Sequence, residues 1–455
     1  MAGVDSSTQS CKVVVVDAAS GAVVRSGRAT HPAGTEVDPE AWWAALQAAI
    51  AGAGGLDDVA AISVGGQQHG MVVLDYGGRV IRPALLWNDN RSAQAAGDLV
   101  AEVPDIVQRT GSRPVASFTS TKLRWLREAE PQSAADVAAV ALPHDWLTWR
   151  LRGFGPENPR LDALTTDRSD ASGTGYWNTV TGEYDDELLV LALGHSAILP
   201  RVLAPGASAG RTPTGLVVGV GAGDNAAAAL GLGARDGDVV VSIGTSGTVF
   251  AVSSAPVLDE TGIVAGFADA SGLYLPLVAT LNAARILDSV SALLGVSHDE
   301  LGTLAMQAEP GANGLVLRPY FEGERTPNLP DATASLFGMT LASTTRPNLA
   351  RAAIEGLLCG LADGLGALRA QGVVPRRVLL IGGAAQNPAV SAIAAQVFDV
   401  PVVVPEPNEY VALGAAMQAA WSLQGSRPDW PLRVSANPAS DYRPEIAAQY
   451  AARLV

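Results

Sequence analysis

Cysteine and lysine are scarce in this chain of 455 residues. The two cysteines, Cys11 and Cys359, allow at most one disulfide bond and exclude a four-cysteine zinc or iron site. We therefore expect free thiols in a reducing compartment. Neither of the two lysines, Lys12 and Lys122, follows a glycine, so the phosphate loop GxxxxGK is absent. Any nucleotide must be bound in another way.

Histidine is also sparse, and the five histidines show no HExxH spacing. Together with the shortage of cysteine, this excludes a recognisable zinc motif. We expect any metal in this protein to be bound by oxygen atoms.

Basic residues are outnumbered by acidic residues. Lys and Arg number 30 and Asp and Glu number 45, which gives a net charge of −15. A field of this sign repels phosphate backbones and anionic lipids, so nucleic acid and membrane surfaces are poor partners. The N-terminus has no basic start followed by a long apolar core, and no strongly apolar run of ~20 residues occurs. We therefore expect a cytoplasmic protein.

Apolar sequence is abundant and is arranged in two similar halves. Hydrophobic residues make up 48% of the chain, and at roughly 100 to 200 residues per domain its length predicts two or three domains. A strand, a Ser/Thr-rich turn and a second strand open the chain and recur at residues 236–254. Segments 225–234 and 408–421 share an A-L-G core. These repeats predict two domains of one ancestry, residues 1–234 and 235–455.

Predicted helices separate the strands. One begins after Asp38, which can cap it, has Pro39 in its first turn and ends at Gly52. Capping residues, prolines and glycines bound further helices at residues 119–130, 143–153, 348–372 and 387–399. Strands that alternate with helices indicate the α/β class.

Two Ser/Thr-rich turns follow the repeated strands and are candidates for phosphate binding. Asp5 precedes the turn SSTQS, and Gly244 and Thr245 begin the turn GTSGT. Backbone N–H groups in such turns can face phosphate oxygens, and an acid-rich protein needs backbone dipoles, hydroxyls and Mg²⁺ to hold a polyphosphate. Considered by itself, Asp5 fits better as an aspartate that caps a turn.

Polar residues at strand ends are the candidates for substrate chemistry. Asp224 and Asn225 stand at a glycine-rich junction between a strand and a helix, where ligands of α/β sheets collect. Asp224 is either a general base or a helix cap. Gln68 and His69 follow the strand AAISVGG and suit a hydroxylated ligand, although a lone histidine is usually structural.

A glycine pair follows a strand in the second half of the chain. Gly382 and Gly383 come after VLLI and would let a flat ring lie against the backbone. The alternative is that the glycine pair is part of an ordinary loop without a ligand.

Two other enzyme classes match weakly. GASAG at 206–210 has the GxSxG pattern of hydrolases, but neither a strand before it nor a helix after it. GVGAGD at 219–224 half matches a dinucleotide fingerprint, yet an aspartate takes the third glycine position and the next strand does not end in an acid. This context disfavours a hydrolase and leaves a dehydrogenase as a weaker alternative.

Taken in order, the motifs resemble the FGGY family of carbohydrate kinases over nearly the whole chain. The resemblance is carried by two phosphate turns, an adenosine segment and two longer signatures: GVDSSTQSCK (3–12), VVVSIGTSGTV (239–249), LLIGGAAQNP (379–388), SFTSTKLRWLRE (117–128) and ASLFGMTLASTTRPNLARAAIEG (334–356). Within the family, GQQHGMVVLD (66–75) and TGSRP (110–114) are similar to the members that phosphorylate xylulose rather than glycerol.

The resemblance implies a fold and a set of residue roles. The fold is α/β, with two actin-like ATPase (ribonuclease H-like) domains of duplicated topology and a cleft between them. The N-terminal domain would bind the sugar and the C-terminal domain ATP. The implied roles are a general base, Asp224; ketose contacts from Gln68, His69, Arg113, Asp224 and Asn225; Mg²⁺ and phosphate positioning by Asp5; and ATP contacts from Thr8, Gly244, Thr245, Gly383 and Asn387.

The implied reaction is transfer of the γ-phosphoryl of MgATP to a terminal hydroxyl of D-xylulose. These kinases commonly carry Met at the position of Gln68, so another acceptor, such as ribulose, gluconate or a polyol, is the first alternative. The second alternative is an actin-like ATP-binding protein without sugar transfer. A homodimer is an expectation from the family alone.

Overall fold

The computed structural model describes residues 1–327 and 329–453. These residues form two compact units, each built from separate segments of the chain. The first unit contains Met1–Ala234, Ser254–Leu275 and Glu409–Pro431, and the second contains Arg235–Ser253, Pro276–Asn408 and Leu432–Val455.

The strands of the two units are short and lie along the whole chain. They are β1 (Ala2–Ser6), β2 (Ser10–Val16), β3 (Val23–Thr30), β4 (Glu36–Val37), β5 (Ala61–Gly66), β6 (Val72–Leu74), β7 (Ala84–Leu85), β8 (Ala139–Ala141), β9 (Thr165–Asp167), β10 (Arg201–Leu203), β11 (Ser208–Arg211), β12 (Val217–Gly219), β13 (Ala222–Gly223), β14 (Asp238–Ile243), β15 (Gly247–Ala251), β16 (Ala265–Ala268), β17 (Tyr274–Thr280), β18 (Val316–Arg318), β19 (Ser335–Phe337), β20 (Arg377–Ile381), β21 (Val402–Pro405) and β22 (Val434–Ala436).

The helices lie between these strands. They are α1 (Pro39–Gly52), α2 (Ala93–Glu102), α3 (Ile106–Thr110), α4 (Thr119–Ala129), α5 (Pro131–Ala135), α6 (Pro143–Leu151), α7 (Arg168–Ala171), α8 (Asp186–Leu193), α9 (Asp224–Gly231), α10 (Ala284–Leu294), α11 (His298–Ala305), α12 (Arg346–Ala370), α13 (Pro388–Val397), α14 (Tyr410–Gln424) and α15 (Pro444–Ala451), with 3₁₀ turns at Leu161–Ala163, Ala312–Gly314 and Gly383–Gln386.

Helix α1 shows how local sequence sets these boundaries. The Asp38 side chain accepts a hydrogen bond from the Glu40 backbone N–H, and Pro39 occupies the first turn, where its missing N–H leaves no helical bond unmade. The helix ends at Gly52, as the sequence predicts.

The central sheets of the two units have the same topology. In the first, β2 pairs antiparallel with β3 and β1, while β1, β5 and β12 are parallel. In the second, β15 pairs antiparallel with β17 and β14, while β14, β20 and β21 are parallel. The duplicated α/β topology expected from the repeated strands is confirmed.

The first unit differs in extent from the predicted domain 1–234. Segments 254–275 and 409–431, which the sequence assigned to a continuous C-terminal domain, pack with the N-terminal residues. Segment 409–431 belongs to the first unit because it contains helix α14. This helix packs against β1, β2, β5 and β12 and buries alanines and a leucine on that sheet.

The opposite face of the first sheet carries a large hydrophobic core cluster. Trp42 and Leu46 of α1 and Trp146 and Trp149 of α6 are almost completely buried against valines of β1, β2 and β5. Burial of such aromatic side chains supplies much of the hydrophobic stabilisation of a sheet face. In the second unit, α12 packs against β15 and β18 and against α10, α11 and α13.

Helices α9 and α14 carry the two A-L-G segments and cross each other closely. A Cβ atom on Gly231 would overlap the Tyr410 carbonyl oxygen, and one on Gly414 would overlap the Ala227 carbonyl oxygen. Because backbone atoms cannot move aside cheaply, only glycine permits this contact. The repeated motif is therefore a pair of mutually packed helices within one unit.

Length and apolarity also bear on membrane association. Among the described residues, no helix combines the length and the apolar character needed to cross a bilayer.

Candidate active site

Three neighbouring strands of the first sheet end at the same edge and place the candidate residues there. Asp5 of β1 is in register with Gly65 of β5, and Gly65 is in register with Ala222 of β13. Two strand spacings separate the first position from the third, about 10 Å between backbones. Asp224 follows β13 directly, so its carboxylate and that of Asp5 belong to one edge of the sheet.

Asp224 is the first residue of α9, while Gly223 is the N-cap and makes no side-chain cap. Asp224 is therefore not the N-cap residue of α9, but its side chain does accept a backbone N–H of the first helical turn. Its Oδ1 accepts hydrogen bonds from the Asn225 backbone N–H at 2.8 Å and from Asn225 Nδ2 at 3.0 Å. Burial, reinforced by the negative charge of Asp5, raises the pKa of Asp224 to about 7. A carboxylate tuned in this way is suited to accept a proton near neutral pH.

Asp5 lies in the strand itself, ahead of the turn, and is 4% exposed. Its Oδ2 lies 3.6 Å from Lys12 Nζ, and the same ammonium lies 2.6 Å from Glu409 Oε2. Burial raises the pKa of Asp5 to about 6 against the opposing effect of Lys12. Among the described residues, Asp5 Oδ1 has no hydrogen-bond partner. A buried, unpartnered carboxylate oxygen at a sheet edge is suited to a cation or to an ordered water.

Gln68 packs directly beneath the segment that carries Asp224. Its Nε2 donates to the Ser169 carbonyl oxygen at 3.2 Å, and a Cβ atom on Gly223 would lie 2.7 Å from its Cγ. Ser169 Oγ in turn accepts the Gly223 backbone N–H at 3.0 Å. The structure therefore brings Gln68 next to Asp224 and ties both to helix α7.

His69 adopts a left-handed backbone conformation, with φ of 67°. Its ring stacks on Phe118 with 4.9 Å between centroids, and Nδ1 lies 2.7 Å from the Gly173 carbonyl oxygen. The ring is also 5.6 Å from that of Phe267, and His69 is 9% exposed. The rings of His69, Phe118 and Phe267 form an aromatic wall that holds the imidazole in one orientation.

Arg113 is exposed, and its side chain contacts the segment 260–262. Its Nη1 is 3.5 Å from the Glu260 carbonyl oxygen, and its Cδ packs against Gly262. Within residues 1–327 and 329–453, no hydrogen bond joins Arg113 to Asp224. The sequence placed it with the ketose contacts, and that role stays a prediction.

Thr8 lies in the turn between β1 and β2. Its Oγ1 accepts a hydrogen bond from Trp87 Nε1 at 2.8 Å, and the preceding carbonyl, that of Ser7, is bonded by His31 Nδ1 at 2.8 Å. Two aromatic side chains thus hold the first predicted phosphate turn.

The candidate nucleotide residues of the second unit lie at the ends of two neighbouring parallel strands. β14 and β20 are in register, and Gly244 with Thr245 follows the first strand while Gly383 follows the second. All three are exposed. Asn387 instead uses its side chain within the protein, because Oδ1 caps α13 by accepting the Ala389 N–H and Nδ2 donates to the His298 carbonyl oxygen.

A buried charged cluster beneath Asp224 was missed by the sequence analysis. His144 Nδ1 lies 2.5 Å from Asp170 Oδ2, and His144 Nε2 lies 3.4 Å from Asp145 Oδ1. Burial alone would lower the pKa of His144, but the two carboxylates outweigh it and raise the pKa to about 10. The ring packs against Gly221, which precedes the strand that leads to Asp224, while the backbone and Cβ of His144 pack against Gly66. The only sequence signal was the polar pair His144–Asp145 in the first turn of a helix that is otherwise mostly buried.

Known proteins match this chain along most of its length. The family "FGGY family of carbohydrate kinases, N-terminal domain" matches residues 1–234, and the corresponding C-terminal domain matches residues 239–423. A xylulose kinase of Streptomyces coelicolor is 47% identical over 440 residues, covering 93% of this chain and 88% of that protein. A xylulose kinase of Escherichia coli is 35% identical over 407 residues, covering 85% and 82%.

A solved structure extends this likeness to three dimensions. The crystal structure of xylulose kinase from Bifidobacterium adolescentis superimposes with a TM-score of 0.93 at 47% identity and covers 99% of this chain and 98% of that one. The predicted family and the two-domain α/β fold are confirmed. The N-terminal and C-terminal domains of the family match the two halves of the chain, and one edge of the first sheet carries two buried carboxylates with raised pKa values. The chain belongs to the FGGY family of carbohydrate kinases.

Proposed function

We propose that this protein transfers the γ-phosphoryl group of MgATP to a terminal hydroxyl of D-xylulose. The observation that carries the proposal is Asp224 at the first turn of α9, with a pKa near neutrality and with Oδ1 occupied by Asn225. This arrangement leaves Oδ2 to accept the proton of an attacking hydroxyl. Family membership supports sugar phosphorylation, and the relatives named xylulose kinase support this ketose.

In the proposed mechanism, Gln68 and His69 orient the ketose, with Asn225 and Arg113 as further contacts. The ring of His69 is already fixed by Phe118 and Gly173, so little side-chain freedom is lost when the sugar binds. As the hydroxyl attacks, Asp224 takes its proton. Positioning supplies most of the rate enhancement in phosphoryl transfer.

The residues at the sheet edge fit a divalent cation. Asp5 offers a buried carboxylate oxygen with no partner among the described residues, and carboxylate oxygens are the ligands that Mg²⁺ prefers. Asp5 would hold the cation, which neutralises phosphate charge when bound. For ATP, the predicted contacts are still Thr8 in its turn, Gly244, Thr245 and Gly383 after the strand ends, and Asn387 at the start of α13.

The test is a panel of acceptors with coupled ADP detection. D-xylulose, D-ribulose, gluconate and glycerol are offered with MgATP to the wild-type protein, and we expect D-xylulose to have the highest kcat/KM. Asp224→Asn is expected to keep the fold and ATP binding while kcat falls about 100-fold or more, because the general base is lost. Asp57→Asn, at an exposed aspartate before β5 and so at the other end of that strand from Gln68 and His69, is the matched control.

Each outcome separates the alternatives. Preference for another acceptor would replace D-xylulose and leave the kinase reaction in place. An absence of acceptor-dependent ADP formation with all four compounds would favour an ATP-binding protein without sugar transfer. Near-normal turnover by Asp224→Asn would refute the assignment of the base.

A further inference from the structure

Lys122 is one of only two lysines in the chain and is completely buried in helix α4. Among the described residues, no carboxylate lies within salt-bridge distance of its ammonium group. Burial lowers the pKa of Lys122 to about 7. A buried ammonium without a carboxylate partner is unfavourable for folding, and an apolar side chain would pack on the same helix without that disadvantage.

The ammonium group instead binds two backbone carbonyl oxygens from different loops. Lys122 Nζ donates to the His69 carbonyl oxygen at 2.8 Å and to the Ser117 carbonyl oxygen at 2.6 Å. Thr119 Oγ1 adds a longer bond to the same His69 oxygen at 3.3 Å. Lys122 therefore connects the loop that follows β5 with the loop that precedes α4.

These two loops carry two stacked rings, because His69 lies on the first loop and Phe118 on the second. Ser117 adjoins Phe118, whose ring stacks on the imidazole of His69. His69 also holds a backbone φ of 67°, which residues other than glycine rarely adopt. Both the strained backbone and the ring contact thus depend on the same two loops staying in place.

From this geometry we infer that Lys122 is a positioning residue for sugar binding. Its ammonium group holds the His69 backbone and the Phe118 loop together, and so fixes the direction in which the His69 imidazole meets the ketose. The inference deepens the proposed function and rests on it, because it takes His69 as a sugar contact. Lys122 itself is buried and does not reach the substrate.

A kinetic comparison tests the inference. Lys122→Met keeps an unbranched, apolar side chain of similar length and removes the ammonium group. We expect the KM for D-xylulose to rise about tenfold, while the KM for ATP stays within about twofold, because the sugar contact alone loses its support. If Lys122 were only structural, Lys122→Met would lower stability but would not raise the KM for D-xylulose more than the KM for ATP.

Arg124→Met provides the matched control on the same helix. Arg124 is nearly buried and pairs with Glu102 and Glu128, so its loss removes charged contacts of α4 without touching His69. We expect a lower melting temperature and an unchanged KM for D-xylulose. An equal rise in that KM for both variants would overturn the inference, since it would report general loosening of α4.

A double-mutant cycle tests the route through His69. If Lys122 acts through His69, then Lys122→Met adds little to the KM for D-xylulose once His69→Ala is present, and the two effects are not additive. Fully additive effects would contradict the inference.

Lys122→Gln is the second variant if Lys122→Met does not fold. Its amide nitrogen is one bond shorter and cannot reach both carbonyl oxygens, so we expect a smaller rise in the KM for D-xylulose, about threefold. An unchanged KM for D-xylulose in either folded variant would overturn this inference and leave the proposed function in place. A wild-type protein that turns over no sugar overturns the proposed function, and this inference with it.

Discussion

Asp224 and Asp5 are two carboxylates held at one sheet edge in a protein that already carries a net charge of −15. Burial favours the protonated form of both carboxylates, and the negative charge of Asp5 adds to this effect at Asp224, so the pKa of Asp224 rises to about 7 and that of Asp5 to about 6. Lys12 opposes this effect at Asp5. Ionisation of these two carboxylates is therefore unfavourable in the free protein. We expect Asp5 to meet a cation and Asp224 to accept the proton of the attacking hydroxyl.

The pH dependence of turnover follows from the raised pKa of Asp224. A general base acts only when it is deprotonated, so kcat at saturating D-xylulose should rise with pH, pass its midpoint near pH 7 and level off above about pH 8, whereas kcat/KM would also report the loss of the Lys122 ammonium group. Initial rates between pH 5.5 and 9 at fixed MgATP measure this profile. The residual rate of Asp224→Asn should lack the step, which separates Asp224 from Lys122, whose pKa also lies near 7. A flat profile between pH 6 and 8 in the wild type would contradict the assignment.

Single residues differ in how far their position can be predicted from sequence. Asp224 and His69 each follow a strand and a glycine, and that local pattern is enough to place them at a sheet edge. His144 pairs with Asp170, which is 26 residues away, and nothing in the spacing predicts that the two will meet. Lys122 stands out only because lysine is so rare in this chain.

At the scale of elements, helix boundaries are encoded locally, whereas helix contacts are not. Asp38 and Pro39 predict the start of α1 from adjacent residues. The close crossing of α9 and α14 involves segments nearly two hundred positions apart, and the A-L-G repeat indicated only that the two helices are alike. It did not indicate that they pack against each other.

The crossing of α9 and α14 predicts an unusual effect of a glycine substitution. Gly414→Ala should lower the free energy of unfolding by about 2 kcal/mol, because the added Cβ overlaps the Ala227 carbonyl oxygen and outweighs the gain in helix propensity of about 1 kcal/mol. Thermal melting and urea unfolding measure the change.

Gly366→Ala is the control for this substitution. Gly366 is an exposed glycine inside α12, and a Cβ atom there would have no neighbour within 4 Å. Alanine at this site should raise stability by a few tenths to about 1 kcal/mol. If both variants were stabilised alike, the close helix crossing would be wrong.

At the scale of the whole molecule, the first unit is not a continuous stretch of chain. Helix α14 covers a face of its sheet and buries Ala412, Leu413 and Ala416 against valines of β2. Without this helix, apolar strand residues would be exposed to water over a large area.

A truncated chain tests this arrangement. Residues 1–234 expressed alone should fail to fold cooperatively and should aggregate, because the sheet lacks α14. Circular dichroism melting and size-exclusion chromatography of the fragment, beside the full chain, give the comparison. A monomeric fragment with a sharp unfolding transition would show that α14 is dispensable.

Local sequence was sufficient for the repeated strands, the cap of α1 and the strand-end position of Asp224, because each depends on periodicity and on neighbours within a few residues. The duplicated topology followed from the recurrence of one strand–turn–strand pattern in both halves of the chain. The tertiary structure alone decided that residues 409–431 complete the N-terminal unit, that His144 is buried beside Asp170 and that Lys122 binds the backbone at His69. These contacts join distant segments through packing and desolvation, and no spacing along the chain records which buried polar groups will become partners.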